Sequence, residues 1–327
     1  MIKGKKVVSQ SFFPSLLLLV IFFAIMGVMN HGLTLSFVKS LILTNTPALC
    51  LAIGVTVTIL VGGTDISLGS IVSLVNVVII TLAGLGYSIT ISALIGLLVA
   101  VICGVFNGIV IGIMRVNPLL TTFATSTIYA GIALWILPNP GGSIDYAFAK
   151  WYMGGLFGFI MTPVMLLILL VFIWAGAIRT PFGLKAYALG CNEKKAYASG
   201  INVNGIRVLV HTFAGLTAGV AGICLTATIC SGSPTVGATM SLNSIAAAVI
   251  GGVSLNGGKG GIFGAILGAG FLSILSSIVV AANFSSYSQS FIKGLILLIG
   301  VIASILAGDK VLKDKIKGIF CKGGAKS

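Results

Sequence analysis

Long apolar runs interrupted by short polar breaks set the pattern of this chain, and each run is close to the roughly 20 residues that an α-helix needs to cross a hydrocarbon core. The runs fall at 12–29, 41–61, 67–85, 89–113, 118–137, 163–178, 208–230, 241–256, 262–282 and 291–307. They predict an all-α polytopic membrane protein of about ten transmembrane helices. The short runs at 118–137 and 241–256 are candidates for re-entrant segments, so eight to ten crossings are expected. No break is long enough for a separate soluble domain, and residues 1–327 read as one transmembrane domain.

The longest interior polar break is RTPFGLKAYALGCNEKKAYASGINVNGIR at 179–207. Bilayer residence alone gives a chain little need for such a segment, so it reads as a handle for something in water. The first run follows Lys3, Lys5 and Lys6 and ends in GVMN without a small-x-small cleavage site, which predicts an uncleaved span.

Composition agrees with a bilayer as solvent. Hydrophobic residues make up 57% of the chain and charged residues 7%, against about 25% charged in soluble domains. A net charge of +14 could mark a nucleic-acid binder in a soluble protein, but here it sorts by side. With ten crossings, every Lys and Arg except Lys39, Lys150 and Lys293 falls on the face that also holds both termini. The positive-inside rule then makes both termini cytoplasmic, together with 179–207 and a basic tail at 308–327, and no nucleic-acid partner is implied.

Glycine supplies the packing signal. Gly104, Gly108 and Gly112 stand four apart, as do Gly260, Gly264 and Gly268, with Gly215 and Gly219 as a further pair. Such spacing lets helix backbones approach closely inside a membrane. VGGTDISLGS at 61–70 and IGGVSLNGGKG at 250–260 resemble each other, each following an apolar run.

Candidate chemistry is sparse. GGKGG at 257–261 lacks the spacing and the Ser or Thr of a phosphate-binding loop. The six cysteines have no C-x-x-C spacing and read as small packing residues. His31 and His211 stand at predicted span ends without a ligand set and read as solvated or capping, so no metal site is expected. No catalytic constellation appears. Asp65 alone of the five acids lies close to a span, where it suits either a helix cap, together with Ser67, or an ion-coupling group. Asn76, Asn107, Thr121, Thr122, Thr125, Asn243 and Ser244 place amides and hydroxyls within or at the start of spans. Each could bond another helix, or together they could line a path for a hydroxyl-rich solute without the desolvation cost of a charge.

Four segments, taken in order, resemble the ribose-type monosaccharide permeases of ABC importers. VGGTDISLGS is similar to the GG-x-D-L-S-x-G signature of that family, with Gly62, Gly63, Asp65, Ser67 and Gly69 at the matching positions. NPLLTTFATSTIYAGIALWI resembles the span that follows. TPFGLKAYALGCNEKKAYASGINV looks like the cytoplasmic coupling loop, matched at Gly183, Gly190, Asn192, Glu193, Ala196 and Gly200, and SLNSIAAAVIGGVSLNGGKGGIFGAILGA looks like the second glycine-rich signature, which holds Gly257 and Gly258.

The resemblance implies a permease subunit in the plasma (inner) membrane of a bacterium, forming the translocation path for ribose or a related sugar. It implies a second permease copy, identical or different, cytoplasmic ATP-binding subunits docked on a short helix that Gly200 ends, and an extracellular or periplasmic sugar-binding protein. ATP would be used by the partner, with no cofactor bound by this chain and no enzyme activity of its own. Leu184 stands where a basic residue commonly follows Phe-Gly, and Cys191 replaces a glycine of the G-G-N tripeptide. The alternatives are an ion-coupled secondary carrier or channel with Asp65 as coupling group, and an export permease that needs no binding protein.

Overall fold

The computed structural model describes residues 13–29, 34–154 and 161–282, with a few isolated positions between 288 and 298. The span expected at 291–307, the basic tail and His31 lie outside the described residues, those few positions aside. Twelve helices follow in order: α1 (Phe13–Met29), α2 (Leu35–Leu60), α3 (Leu68–Gly84), α4 (Ile89–Gly112), α5 (Pro118–Ile136), α6 (Tyr146–Gly154), α7 (Thr162–Arg179), α8 (Pro181–Cys191), α9 (Glu193–Ala198), α10 (Val203–Ile229), α11 (Met240–Ile250) and α12 (Ile262–Ala281). No strand occurs among the described residues. Six helices, α2, α4, α5, α7, α10 and α12, are long and apolar enough to cross a membrane, and α1, α3 and α11 are shorter apolar helices.

Capping residues fix several helix starts. Thr34, Ser88, Asn117, Thr180, Asn192 and Asn202 each accept a bond from a first-turn amide, satisfying donors that have no partner within the helix. The cap at Asn202 starts α10 at Val203, earlier than the apolar run at 208. Residues 179–207 are therefore helical over most of their length, as the end of α7, then α8, α9 and the start of α10.

Two compact units divide the described residues between Ile274 and Leu275. In the first, α10 is central and packs on α2, α3 and α4. The α4–α10 contact is made by backbone. A Cβ on Gly104 would meet the His211 carbonyl at 2.5 Å, one on Gly108 would meet Val208 Cα at 2.8 Å, and one on Gly112 would meet the Asn204 carbonyl at 2.8 Å. Gly215 returns the contact against Ala100 and Gly104. Gly264 and Gly268 do the same for α12 against Gly251 and Ala247. The four-residue glycine spacing thus serves helix packing. In the second unit, the final turn of α12 closes with Ala282 N–H donating to the Ile278 carbonyl at 2.9 Å.

The run at 241–256, read as a crossing or a re-entrant segment, is helical over only part of its length. α11 has 11 residues and rises only about 16 Å, too little to cross a membrane by itself. The chain before it is irregular: α10 ends with Cys230 in a left-handed conformation at φ 51°, Gly232 bridges Gly141 beyond the end of α5, and turns through 234–239 lead into α11. Non-helical backbone in a membrane protein needs partners inside the protein, and α3 provides them. Asn76 Oδ1 accepts from Ser233 N–H (2.8 Å) and its Nδ2 donates to the Ser231 carbonyl (3.0 Å), Ser73 Oγ accepts from Gly237 N–H (2.8 Å), and Ser241 Oγ accepts from Gly69 N–H (2.6 Å). Segment 231–241 therefore runs along α3 from Asn76 down to Gly69.

Candidate functional site

Two constellations gather most of the residues singled out by sequence. The first is a polar chain at the turn between α2 and α3. Asp65 Oδ1 accepts from Ser67 N–H at 2.9 Å and from the Ser67 hydroxyl at 2.6 Å, and Ser67 Oγ in turn accepts from Asn107 Nδ2 on α4 at 2.8 Å. The Tyr129 hydroxyl on α5 lies 3.1 Å from both Asn107 Oδ1 and the Cys103 carbonyl and donates to one at a time. On the other side, His211 Nδ1 of α10 lies 3.0 Å from Asp65 Oδ2. With a proton on Nδ1 the ring donates to the carboxylate. All five side chains are buried.

Asp65 makes a local turn by accepting from Ser67 N–H rather than from a first-turn amide of α3, and Ser67, at the N-cap position, makes no side-chain cap bond. His211 corrects the reading of a solvated or capping residue: it is 1% exposed and partnered, because the early start of α10 moves it well inside the helix. Sequence held a signal for it, a lone titratable side chain within VLVHTFAG, where an intramembrane ionisable group calls for a partner. Tyr129 carried no such signal. Thr122 adds a hook, its Oγ1 accepting from Ile66 N–H at 3.2 Å and donating to the Pro118 carbonyl at 2.9 Å.

The second constellation is a junction made almost wholly of backbone. Gly258 N–H donates to the Leu60 carbonyl at the end of α2 at 3.0 Å. Gly190, near the end of α8, lies so close that a Cβ there would overlap the Leu60 carbonyl and stand 2.6 Å from Gly258 N. A Cβ on Gly257 would stand 3.0 Å from Gly62 Cα. Gly62, Gly257 and Gly258 have positive φ, at 84°, 81° and 69°, a conformation that costs glycine nothing. The two glycine-rich turns that resemble each other in sequence therefore meet, and 179–207 is seated on both. Cys191 joins the junction, its thiol 3.6 Å from the Gly258 carbonyl, and Tyr187 donates to the Gly260 carbonyl at 2.8 Å. Burial pushes the Tyr187 phenol up from its ordinary pKa, keeping it a donor.

Beyond the junction the segment turns outward. Asn192 caps α9 by accepting from Lys195 N–H at 3.0 Å, and Glu193 pairs with Arg207 at 2.8 Å. Ala196 is the buried residue of α9, while its neighbours are exposed. Gly200, at φ 76°, ends the helix with its N–H on the Tyr197 carbonyl, and Ile201 N–H reaches back to Ala196. Leu184 is 74% exposed, so this departure from the family pattern lies on the outer surface. Gly183 packs against the Ile178 backbone, and Gly63 stands against Pro118 at the start of α5.

The remaining polar candidates separate. Asn76 and Asn107 have both ends of their amides bonded within the protein. Thr125 bonds the Thr122 carbonyl at 3.4 Å, Thr121 is buried with its hydroxyl unpartnered, Ser244 is buried, and Asn243 is exposed on the first turn of α11. No group of three or more His, Cys, Asp or Glu able to hold a metal occurs among the described residues.

The family described as the permease component of a branched-chain amino acid transport system matches residues 36–301. The chain belongs to this permease family. Among individual permeases it is 32% identical over 255 residues to ribose import permease protein RbsC of Bacillus subtilis, covering 77% of this chain and 79% of the relative. To ribose import permease protein RbsC of Haemophilus influenzae it is 31% identical over 316 residues, 94% of this chain and 97% of the relative. To autoinducer 2 import system permease protein LsrC of Escherichia coli O9:H4 it is 32% identical over 254 residues, 76% and 73%. No solved structure matches the permease. It is a multi-pass membrane protein, and the motif resemblance read from the sequence holds across most of its length.

Proposed function

We propose that this permease is the membrane-spanning subunit of an ATP-driven importer for a monosaccharide of the ribose type. The observation that carries the reading is the seating of Gly190 against the Leu60 carbonyl and Gly258. A segment that presents α9 outward is thereby joined, without intervening side chains, to the turn after α2 and the turn before α12. A push on α9 passes to both signature turns at once, and from Asp65 onward to α3, α4, α5 and α10. The relatives are named for ribose import and autoinducer 2 import, which supports a small sugar-like solute.

In this reading both termini and α8–α9 face the cytoplasm, where ATP-binding subunits grip α9, use the ATP and supply the work. A sugar-binding protein delivers solute on the opposite face, and a second permease copy completes the path in a bacterial plasma membrane. The chain itself binds no cofactor. Uptake of labelled D-ribose in proteoliposomes is expected only when ATPase subunits, binding protein and ATP are all supplied. Uptake by the purified permease alone under a proton or sodium gradient would overturn the proposal.

A further inference from the structure

In the irregular segment and the start of α11, one row of side chains has no structural task. Thr235 and Thr239 in the turns before α11 and Asn243 in its first turn are all exposed. Their side chains have no hydrogen-bond partner among the described residues, whereas Gly237, Ser241 and Ser244 on the opposite side are buried. The tethers to α3 fix the place of the row along that helix: Ser233 lies at Asn76, midway along α3, and Ser241 at Gly69 in its first turn. A hydroxyl–hydroxyl–amide row there is poorly placed against hydrocarbon, where nothing can take its hydrogen bonds.

We propose that Thr235, Thr239 and Asn243 form the polar wall of the solute path, exchanging hydrogen bonds with the hydroxyls of a neutral, polyhydroxylated solute. This deepens the reading of a sugar importer and rests on it. The donor and acceptor set is uncharged. Among the described residues, the buried ionisable side chains beside the start of α3, Asp65 and His211, are bonded to each other. A wall of that kind suits a sugar, which offers donors and acceptors on every face, and suits poorly an amino acid whose ammonium and carboxylate each need a counter-charge. Breaking the helix serves the same end, because turns through 234–239 hold these side chains outward while the backbone is bonded to α3 behind them.

The test uses the full assembly with ATPase subunits and binding protein. Thr235→Cys, Thr239→Cys and Asn243→Cys are each exposed to a trimethylammonium methanethiosulfonate, with labelling read above the parental chain, whose Cys191 is also exposed. Leu98→Cys, at an exposed apolar position of α4, is the hydrocarbon-facing control. The proposal expects labelling about tenfold or more faster than at Leu98→Cys, slowed severalfold by D-ribose with binding protein. Labelling no faster than the control places the row against lipid or a partner helix and overturns it. Thr239→Val is expected to lower D-ribose uptake tenfold or more with the assembly intact, and undiminished uptake also overturns it. Labelling needs no knowledge of the sugar, so failure of the parental assembly to take up D-ribose counts against the sugar importer reading alone.

Discussion

His211 Nδ1 and Asp65 Oδ2 stand 3.0 Å apart in a site where the two side chains are 1% and 0% exposed, joining the middle of α10 to the turn that opens α3. Removing one partner of a buried hydrogen-bonded pair leaves the other unsatisfied, at a cost of about 1–3 kcal/mol. We predict that Asp65→Leu and His211→Leu each destabilise the solubilised permease by about that amount in thermal unfolding, and that the double replacement recovers part of the loss. Asp65→Asn keeps an oxygen for Ser67 and offers an amide to His211, so ATP-dependent uptake should survive it. Loss of a gradient dependence in Asp65→Asn, with the assembly intact, would instead favour the ion-coupled carrier.

The glycine junction predicts a sharp positional contrast. Gly190→Ala places a methyl group into the Leu60 carbonyl and close to Gly258 N, while Gly131→Ala on α5 meets nothing within 4 Å. Overpacking costs about 1–3 kcal/mol, so Gly190→Ala should lower the unfolding temperature and the yield of assembled complex, and Gly131→Ala should change neither. Equal behaviour of the two would refute the junction.

At α9 the expected effect is functional rather than structural. The Glu193–Arg207 pair has one partner half exposed, and such pairs contribute about 1 kcal/mol at most. Glu193→Lys should therefore leave folding nearly unchanged yet abolish stimulation of the ATPase subunits. Gly200→Pro cannot hold φ 76° or donate to Tyr197 and should do the same with a modest loss of stability. Full ATPase stimulation in both would put the docking site elsewhere.

Asn76 anchors the irregular segment before α11 through Thr226, Ser231 and Ser233. Asn76→Ala orphans a buried donor and acceptors, at about 1–3 kcal/mol each. Hydrogen exchange at the Ser233 amide should speed up while that of α4 is unchanged, and uptake should fall. Unaltered exchange at Ser233 would mean that other contacts hold the segment.

Much of this was legible in the sequence, for definite reasons. Apolar run length located α1, α3, α4, α5, α7 and α12 within a residue at each end, and the end though not the start of α2, because burial in hydrocarbon admits few alternatives to a continuous helix. Four-residue glycine spacing announced close backbone packing on α4 and α10 without naming the partners, since only glycine allows that approach. Hydropathy failed where hydrogen bonding, rather than apolarity, decides the backbone. Asn202 starts α10 beyond the edge of its apolar run, and that shift hid the burial of His211. Along 230–239, Asn76 and Ser73 hold a run of turns against α3 that an apolarity count cannot tell from a loop. The pairing of Asp65 with His211, separated by 146 positions, has no local trace at all.

The junction also sets an order of events during synthesis. Leu60, Gly190 and Gly258 must all be present before the seat of α8 exists, so a nascent chain that has grown only past Glu193–Ala198 still lacks the surface that positions it. In the importer proposed above, an ATPase subunit meeting the chain at that stage would find a helix without its footing, and docking would wait until the second glycine turn has been made.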